Sequence, residues 1–324
     1  MPEVSVIVPC YNAEKTVTRA LDSLASQTFR DLEIIAVNDG STDGTLQTLK
    51  AWKDAHPDIN IRIFSKENEG IAETRNFALS KVRGTYFGFL DSDDYTSPEM
   101  IQEMKELADR DSLQLVVSDF LWVNSRGERL QKEGPYACGS DMMVNLFAVL
   151  WNKLYRTEFI RSLDIRFPKG CRYEDNCFLY CLAPHLSRIG FTEKPYVHYV
   201  QVENSITHNN NEQVKNMVEV FEIIIDYYRT HGFFDRYHDA LEYITIKAFL
   251  GNSFLRSCQV KDRKERKEAV RMGWDLLNRE FPDWHRNPYL RSLGGLKNRY
   301  FSMVYDWNID LLTWYFHTFG SSNL

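Results

Sequence analysis

The stretch Tyr86-Phe87-Gly88-Phe89-Leu90-Asp91-Ser92-Asp93-Asp94 runs an apolar segment straight into a cluster of carboxylates. A short apolar run bounded by a polar turn reads as a strand buried on both faces, the kind found in parallel sheets. Carboxylates set this close repel one another wherever water is scarce, so the cluster reads as a divalent-cation site or as a helix cap. As hard oxygen ligands they suit Mg²⁺ or Mn²⁺, which such sites hold by one or two carboxylates plus substrate phosphates.

Upstream, strand and helix alternate. Val4-Ser5-Val6-Ile7-Val8-Pro9 is a β-branched run closed by Pro9, with a turn at Cys10-Tyr11-Asn12. From Asn12, a candidate N-cap, Val17, Ala20, Leu21 and Leu24 recur at helical spacing. Leu32 to Val37 reads as a second strand, Asn38 to Gly44 as a turn, and Thr45 to Asp54 as a helix. Ile61 to Phe64 is a third strand, leading through Asn68-Glu69-Gly70 to a helix over Ile71 to Val82. This alternation predicts an α/β fold, a mostly parallel sheet flanked by helices. Ligands sit beyond the carboxyl ends of such strands, where the loops hold Tyr11, Asp39 and Asp91 to Asp94.

Downstream, Ser97-Pro98 supplies a cap and a first-turn proline for the next helix. A strand is expected at Leu113 to Ser118, then an irregular region with extra strands to about residue 210. Helices follow over Val214 to Tyr228, Ala240 to Cys258, Arg263 to Glu280 and Leu290 to Phe319. The expected organisation is an α/β domain over 1–210, divided at about 120, and a helical C-terminal domain over 211–324.

The 324 residues, with 39 Lys and Arg against 45 Asp and Glu, give a net charge of −6 and lack the basic excess of a nucleic-acid binder. No apolar run approaches the roughly 20 residues of a membrane span, and the start has no leader pattern, so the cytosol is the expected compartment. Six cysteines form no zinc-knuckle pair and read as reduced, buried thiols. Neither GxxxxGK[ST] nor GxGxxG is present, which weakens kinase, NTPase and dehydrogenase readings. Arg256 to Arg299 carries a local charge of +6 and is followed by the aromatic stretch Tyr300 to Phe316. Such a segment can rest on the inner face of an anionic membrane or form a homodimer interface; a solvated helix face is the plain alternative.

Taken in order, Tyr11-Asn12, Val37-Asn38-Asp39-Gly40-Ser41-Thr42-Asp43, Asn68-Glu69-Gly70-Ile71-Ala72-Glu73-Thr74-Arg75-Asn76 and Asp91-Ser92-Asp93-Asp94 resemble the family 2 glycosyltransferases of the GT-A fold. The likeness continues more weakly through Leu150-Trp151-Asn152-Lys153-Leu154-Tyr155-Arg156 and Tyr173-Glu174-Asp175-Asn176, which look like segments of bacterial polysaccharide-assembling members.

The resemblance implies that 1–210 is the catalytic domain, with a donor half to about 120 and an acceptor half over 121–210, and a donor site of Pro9, Tyr11, Asn12, Asp39, Arg75, Asp91, Ser92 and Asp93. Tyr11 would stack on the nucleotide base and Asp39 would accept from its imide N–H, which favours uridine. Arg75 would help hold the diphosphate. Asp93 would be the principal ligand of Mn²⁺ or Mg²⁺, with Asp91 on the ribose or on a metal-bound water and Asp94 bound through water or capping a helix. Such a cation stabilises the charge building on the departing nucleoside diphosphate. Inversion also needs a base opposite the leaving group. Asp175 is assigned that role, with Glu174 as the alternative, against a helix cap. A further extension places Trp151, Asn152 and Lys153 on the acceptor or donor-sugar pocket and His198, near Asn204-Ser205, against the diphosphate or metal; core aromatic and surface polar roles stand beside it.

The expected activity is transfer of one hexose or N-acetylhexosamine from a UDP-sugar to a glycan acceptor: polysaccharide, teichoic acid, lipid-linked oligosaccharide or glycoprotein. The Gln-x-x-Arg-Trp segment of processive synthases is absent. From a different class, a non-catalytic sugar-nucleotide or glycan-binding partner of another transferase remains as the competing reading.

Overall fold

β1 (Val4–Cys10), buried along its whole length, is the strand from which the computed structural model is best understood; the structure describes residues 1–201 and 210–320. Four alternating units follow the chain. They comprise β1 and α1 (Val17–Ala25), β2 (Leu32–Asp39) and α2 (Thr45–Ala55), β3 (Ile61–Lys66) and α3 (Ile71–Lys81), then β4 (Tyr86–Phe89), β5 (Tyr95–Thr96) and α4 (Met100–Arg110). Next come β6 (Leu115–Asn124), β7 (Gly127–Gln131), α5 (Ser140–Asn145), β8 (Lys153–Arg156), α6 (Thr157–Leu163), α7 (Glu174–Leu182) and β9 (Ile189–Val200). The remaining helices are α8 (Asn210–Thr230), α9 (Phe234–Lys247), α10 (Ser253–Cys258), α11 (Arg263–Glu280), α12 (Pro288–Ser292), α13 (Gly295–Ser302) and α14 (Ile309–Phe319).

The chain forms two compact units that are not contiguous in sequence. One comprises Met1–Cys138, Asn145–Gly170 and Glu174–Glu203; the other comprises Gly139–Val144, Cys171–Tyr173 and Asn204–Leu324. The first holds one sheet in the order β3-β2-β1-β4-β8-β6-β9-β5, with β7 added beside β6. β3, β2, β1 and β4 are parallel, as the alternation predicts, whereas β8 runs antiparallel to β4 and β6. β1 pairs with β4 only as far as Ile7, so Pro9 has β2 alone for a neighbour and its missing N–H breaks no bond on the β4 side.

Several elements differ from the sequence expectation for local reasons. α1 begins at Val17, not Asn12, because Asn12 adopts a left-handed backbone (φ +49°) and spends its side chain on another loop. β2 extends to Asp39 because the ladder with β3 continues through Asn38↔Ser65 and Asp39↔Lys66. α4 starts at Met100 beyond Ser97-Pro98, and its Ile101 N–H is met by Gln27 Oε1 at 3.0 Å, a cap delivered from a distant turn. β6 runs on to Asn124, past the expected Ser118, because β9 accompanies it in parallel to Val123↔Val200.

In the second unit the expected helix Ala240 to Cys258 breaks at Gly251, whose ψ of −119° is not helical. The single segment expected over Leu290 to Phe319 is three helices, parted first at Gly294-Gly295, where both glycines take positive φ. Among the described residues no helix is long and apolar enough to cross a membrane.

Candidate active site

The carboxyl ends of β1 and β2 lie side by side, and the loops leaving them are welded together. Asn12 Oδ1 accepts from Thr42 N at 2.9 Å, Ser41 Oγ accepts from Asn12 N at 3.0 Å, and Thr45 Oγ1 accepts from Ala13 N at 2.8 Å. Asp43 closes the arrangement by accepting from Glu14 N and Thr45 N; these bonds hold its carboxyl low against the opposing effect of burial. Tyr11 stands on this platform half exposed, its ring open to a flat partner.

Asp39 is buried at the end of β2. Its Oδ1 accepts from Lys66 Nζ and from Glu69 N at 3.1 Å, and its Oδ2 from Gly70 N at 3.0 Å. A carboxylate offers about four acceptor positions, so one remains on Oδ2. Gly70, with φ +89°, turns the chain so that its N–H and that of Glu69 both face the carboxylate.

β4 ends at Phe89, and the chain turns through Leu90 into the acidic loop, where Asp91, Ser92 and Asp93 are half-buried and Asp94 is wholly buried. Asp94 Oδ1 accepts from Val200 N at 2.8 Å, while Oδ2 has no partner among the described residues. Burial, then the charge of Asp91, pushes the Asp93 carboxyl up to about 6; the same causes, with Asp93 added, push Asp94 up to about 9. Arg19 donates to the Asp93 carbonyl and lies over the Tyr95 ring at 5.3 Å, which pins the loop from outside. Crowded hard oxygens are what a divalent cation relieves, and Asp93, with the Asp91 oxygen that Arg75 leaves free, fits that role.

Arg75, one turn into α3, is buried and bridges the two acidic groups. Nη2 donates to Asp91 Oδ1 at 3.0 Å and Nη1 donates to Glu174 Oε1 at the start of α7; Nε has no partner among the described residues. The rings of Phe89 and Phe167, each 5.8 Å away, keep water off this guanidinium. Burial raises Glu174 to about 7 although Arg75 pulls it down and Asp175 adds to the rise; burial likewise raises Asp175, against Arg75. Asp175 bonds Asn176 through one oxygen, Oδ1. The sheet therefore brings Arg75, Asp91, Glu174 and Asp175 to one place.

Trp151, Asn152 and Lys153 are all buried. Lys153 Nζ donates to Glu133 Oε1 at 3.0 Å, to the carbonyls of Phe147 and Val149, and to Asn152 Oδ1. Asn152 Nδ2 reaches Ser118 O and Glu133 Oε2, and Trp151 packs edge-on to Phe120. His198 stacks on Tyr95, the residue after Asp94, with ring centroids 4.3 Å apart, and its Nδ1 lies 3.6 Å from Glu128 Oε1. Asn204-Ser205 lies outside the described residues. The strand neighbour Tyr199 faces the other way, stacked on Trp151, and its phenol is pushed up to about 12 by burial and then by Asp94 and Asp91.

Glu133, Lys66 and Tyr199 had no place in the sequence reading. Glu133 sits in the irregular region with no periodicity to announce it, and Lys66 carries only the pattern of a surface lysine. Tyr199 differs from His198 by one position, and in a strand one position is the other face.

The chain is similar to known proteins in sequence and in fold. The family described as glycosyl transferase family 2 matches residues 5–171. EpsJ of Bacillus subtilis (strain 168), described as an uncharacterized glycosyltransferase, is 31% identical over 220 residues, which cover 64% of this chain and 63% of EpsJ; the chain thus spans under two thirds of that relative. The crystal structure of S. aureus TarS 1-349 in complex with UDP-GlcNAc has a TM-score of 0.61 at 23% identity, covering 88% of this chain and 92% of that one. The mannosyltransferase PcManGT of Pyrobaculum calidifontis, in complex with GDP-Man and Mn²⁺, has a TM-score of 0.53 at 16% identity, covering 92% of this chain and 77% of that one. The family match spans more than half of the chain, and the chain belongs to glycosyl transferase family 2.

Proposed function

We propose that the chain is an inverting, metal-dependent glycosyltransferase that moves a single hexose or N-acetylhexosamine from a UDP-sugar to a glycan acceptor. One observation carries the reading: the Arg75 fork joins Asp91, on the acidic loop, to Glu174, beside Asp175, so that donor-side and acceptor-side carboxylates form one site.

Within it, Tyr11 stacks on uracil and the free lone pair of Asp39 Oδ2 accepts the imide N–H, a contact that cytosine and adenine lack. The unpartnered Arg75 Nε–H is a donor left for a phosphate oxygen or its water. Asp93, with Asp91, would hold Mn²⁺ or Mg²⁺, which supplies Lewis-acid stabilisation of the diphosphate charge when bound. Asp175 accepts the acceptor hydroxyl proton as that oxygen bonds to the anomeric carbon opposite the departing diphosphate, so configuration inverts. Glu174, held by Arg75, keeps the guanidinium aimed. The acceptor is read as a cell-surface polysaccharide, lipid-linked oligosaccharide or glycoprotein glycan, in keeping with the bacterial relative.

The test is UDP release from UDP-glucose, UDP-galactose, UDP-GlcNAc and UDP-GalNAc, with and without Mn²⁺, by the wild type, Asp93→Ala and Asp175→Asn. Metal-dependent release from one donor, lost in both variants, is expected. Tight UDP-sugar binding with no release from any donor would favour a non-catalytic binding partner, and no UDP binding by calorimetry would overturn the donor site.

A further inference from the structure

α14 is rich in apolar side chains but is buried on one side only. Ile309 and Thr313 are buried and Leu312 and Phe316 half-buried, with Phe316 packed 6.0 Å from the Phe254 ring and 5.8 Å from Tyr300. Backbone contacts reinforce that side: Gln259 Nε2 donates to Phe316 O, and His317 Nδ1 lies 2.8 Å from Cys258 O. The opposite side carries Leu311, Trp314, Tyr315 and Phe319 at i, i+3, i+4 and i+8, all exposed, with Trp307 of the preceding turn 79% exposed. A helix whose inner face already anchors it gains nothing in folding from an outer stripe of this kind.

The segment that precedes the stripe is basic, +6 over Arg256 to Arg299 with Arg291, Lys297 and Arg299 exposed, and the acids beside the stripe are paired: Arg271 with Asp306 and with Asp310 at 3.2 Å, and Lys267 3.4 Å from Asp310. Trp and Tyr together with Lys and Arg are the residue types that settle at lipid headgroups of negative charge. We propose that the outer stripe of α14, with Trp307, docks on an anionic lipid surface and holds the protein peripherally at a membrane.

The experiment is co-sedimentation of the full chain with vesicles of phosphatidylcholine alone and of phosphatidylcholine with about 30% phosphatidylglycerol, with tryptophan emission followed in parallel. Partition into the anionic vesicles with a blue shift is expected. It should fall at least about tenfold in Trp307→Ser/Trp314→Ser/Tyr315→Ser, and several-fold in Lys297→Gln/Arg299→Gln or at about 0.5 M salt. All five side chains are solvent-facing, so circular dichroism and melting temperature should match the wild type, and UDP release in solution should stay within about twofold. That last comparison separates failure of this inference from failure of the donor-site reading. No partition into either vesicle at about 1 mM lipid, equal partition into both, or a concentration-dependent dimer that the triple variant abolishes without any vesicle binding would overturn it.

Discussion

Arg75 Nη2 lies 3.0 Å from Asp91 Oδ1, and through that contact the end of β4 is fastened to the first turn of α3. The guanidinium is buried among Asp91, Glu174 and Asp175, so its charge offsets three others that have little water to lean on. Arg75→Met should cost about 3–5 kcal/mol of stability, the usual result of leaving buried carboxylates uncompensated. Arg75→Lys keeps the charge but cannot fork, so it should recover stability more than activity. Urea unfolding and initial rates on both variants check this; an Arg75→Met protein as stable as wild type would contradict it.

Proton transfer sets a pH dependence. Burial lifts Glu174 to about 7 against the pull of Arg75, and burial lifts Asp175 as well. A base works ionised, so kcat/KM should climb with pH as the pair gives up its proton and fall roughly tenfold per unit below that step, with an apparent value belonging to the pair and lying above the ordinary carboxylate range. Stability moves the other way. Between 4.5, the ordinary value, and about 7 the folded protein holds a Glu174 proton that the unfolded chain has released, so that contribution is lost as pH rises through this window. Rates and melting temperatures over about pH 5 to 8 test both signs; a flat rate profile removes the pair from proton transfer.

Asn12 separates conformation from contact. Asn12→Gly tolerates φ +49° and removes the side-chain acceptor of Thr42 N and Oγ1, a loss of about 1 kcal/mol. Asn12→Ala adds the strain of a left-handed backbone and should cost about 1–2 kcal/mol more. Because Tyr11 precedes it, UDP affinity should drop roughly tenfold in both, about 1.4 kcal/mol. Calorimetric titration with UDP decides; unchanged affinity would detach this loop from the base.

Lys153 should behave as a structural cation. Lys153→Met leaves the Glu133 carboxylate buried without its partner and should cost about 3–5 kcal/mol. Lys153→Met/Glu133→Gln should recover part of that loss, the signature of a coupled pair. A lysine in the sugar pocket would instead raise KM at constant stability, so thermal melts beside KM values discriminate.

Much of the donor half was legible because its strands are continuous apolar runs whose ends carry the chemistry: Val4 to Cys10 leads to Tyr11, Leu32 to Val37 leads to Asp39, and Tyr86 to Leu90 leads to Asp91. What stayed hidden depends on distant partners. Nothing near Glu133 or Lys153 says that they meet, since 20 residues separate them and neither lies in a periodic segment. β9 reads as a mixed-polarity stretch until β6 is placed beside it. Gly294-Gly295 carries its helix break in plain view, whereas the cap that Gln27 gives α4 cannot be read from either segment alone.

The Asp94 carboxylate accepts a hydrogen bond from the backbone of Val200, 106 residues further along the chain. The loop that carries Asp91 and Asp93 is thus braced by the last residue of β9, at the far end of the acceptor half. Exchanging that half between family members to alter acceptor choice would also remove the brace. A working chimera should therefore keep β9 and the Asp91 to Asp94 loop from the same parent, and place its junctions between β6 and α7.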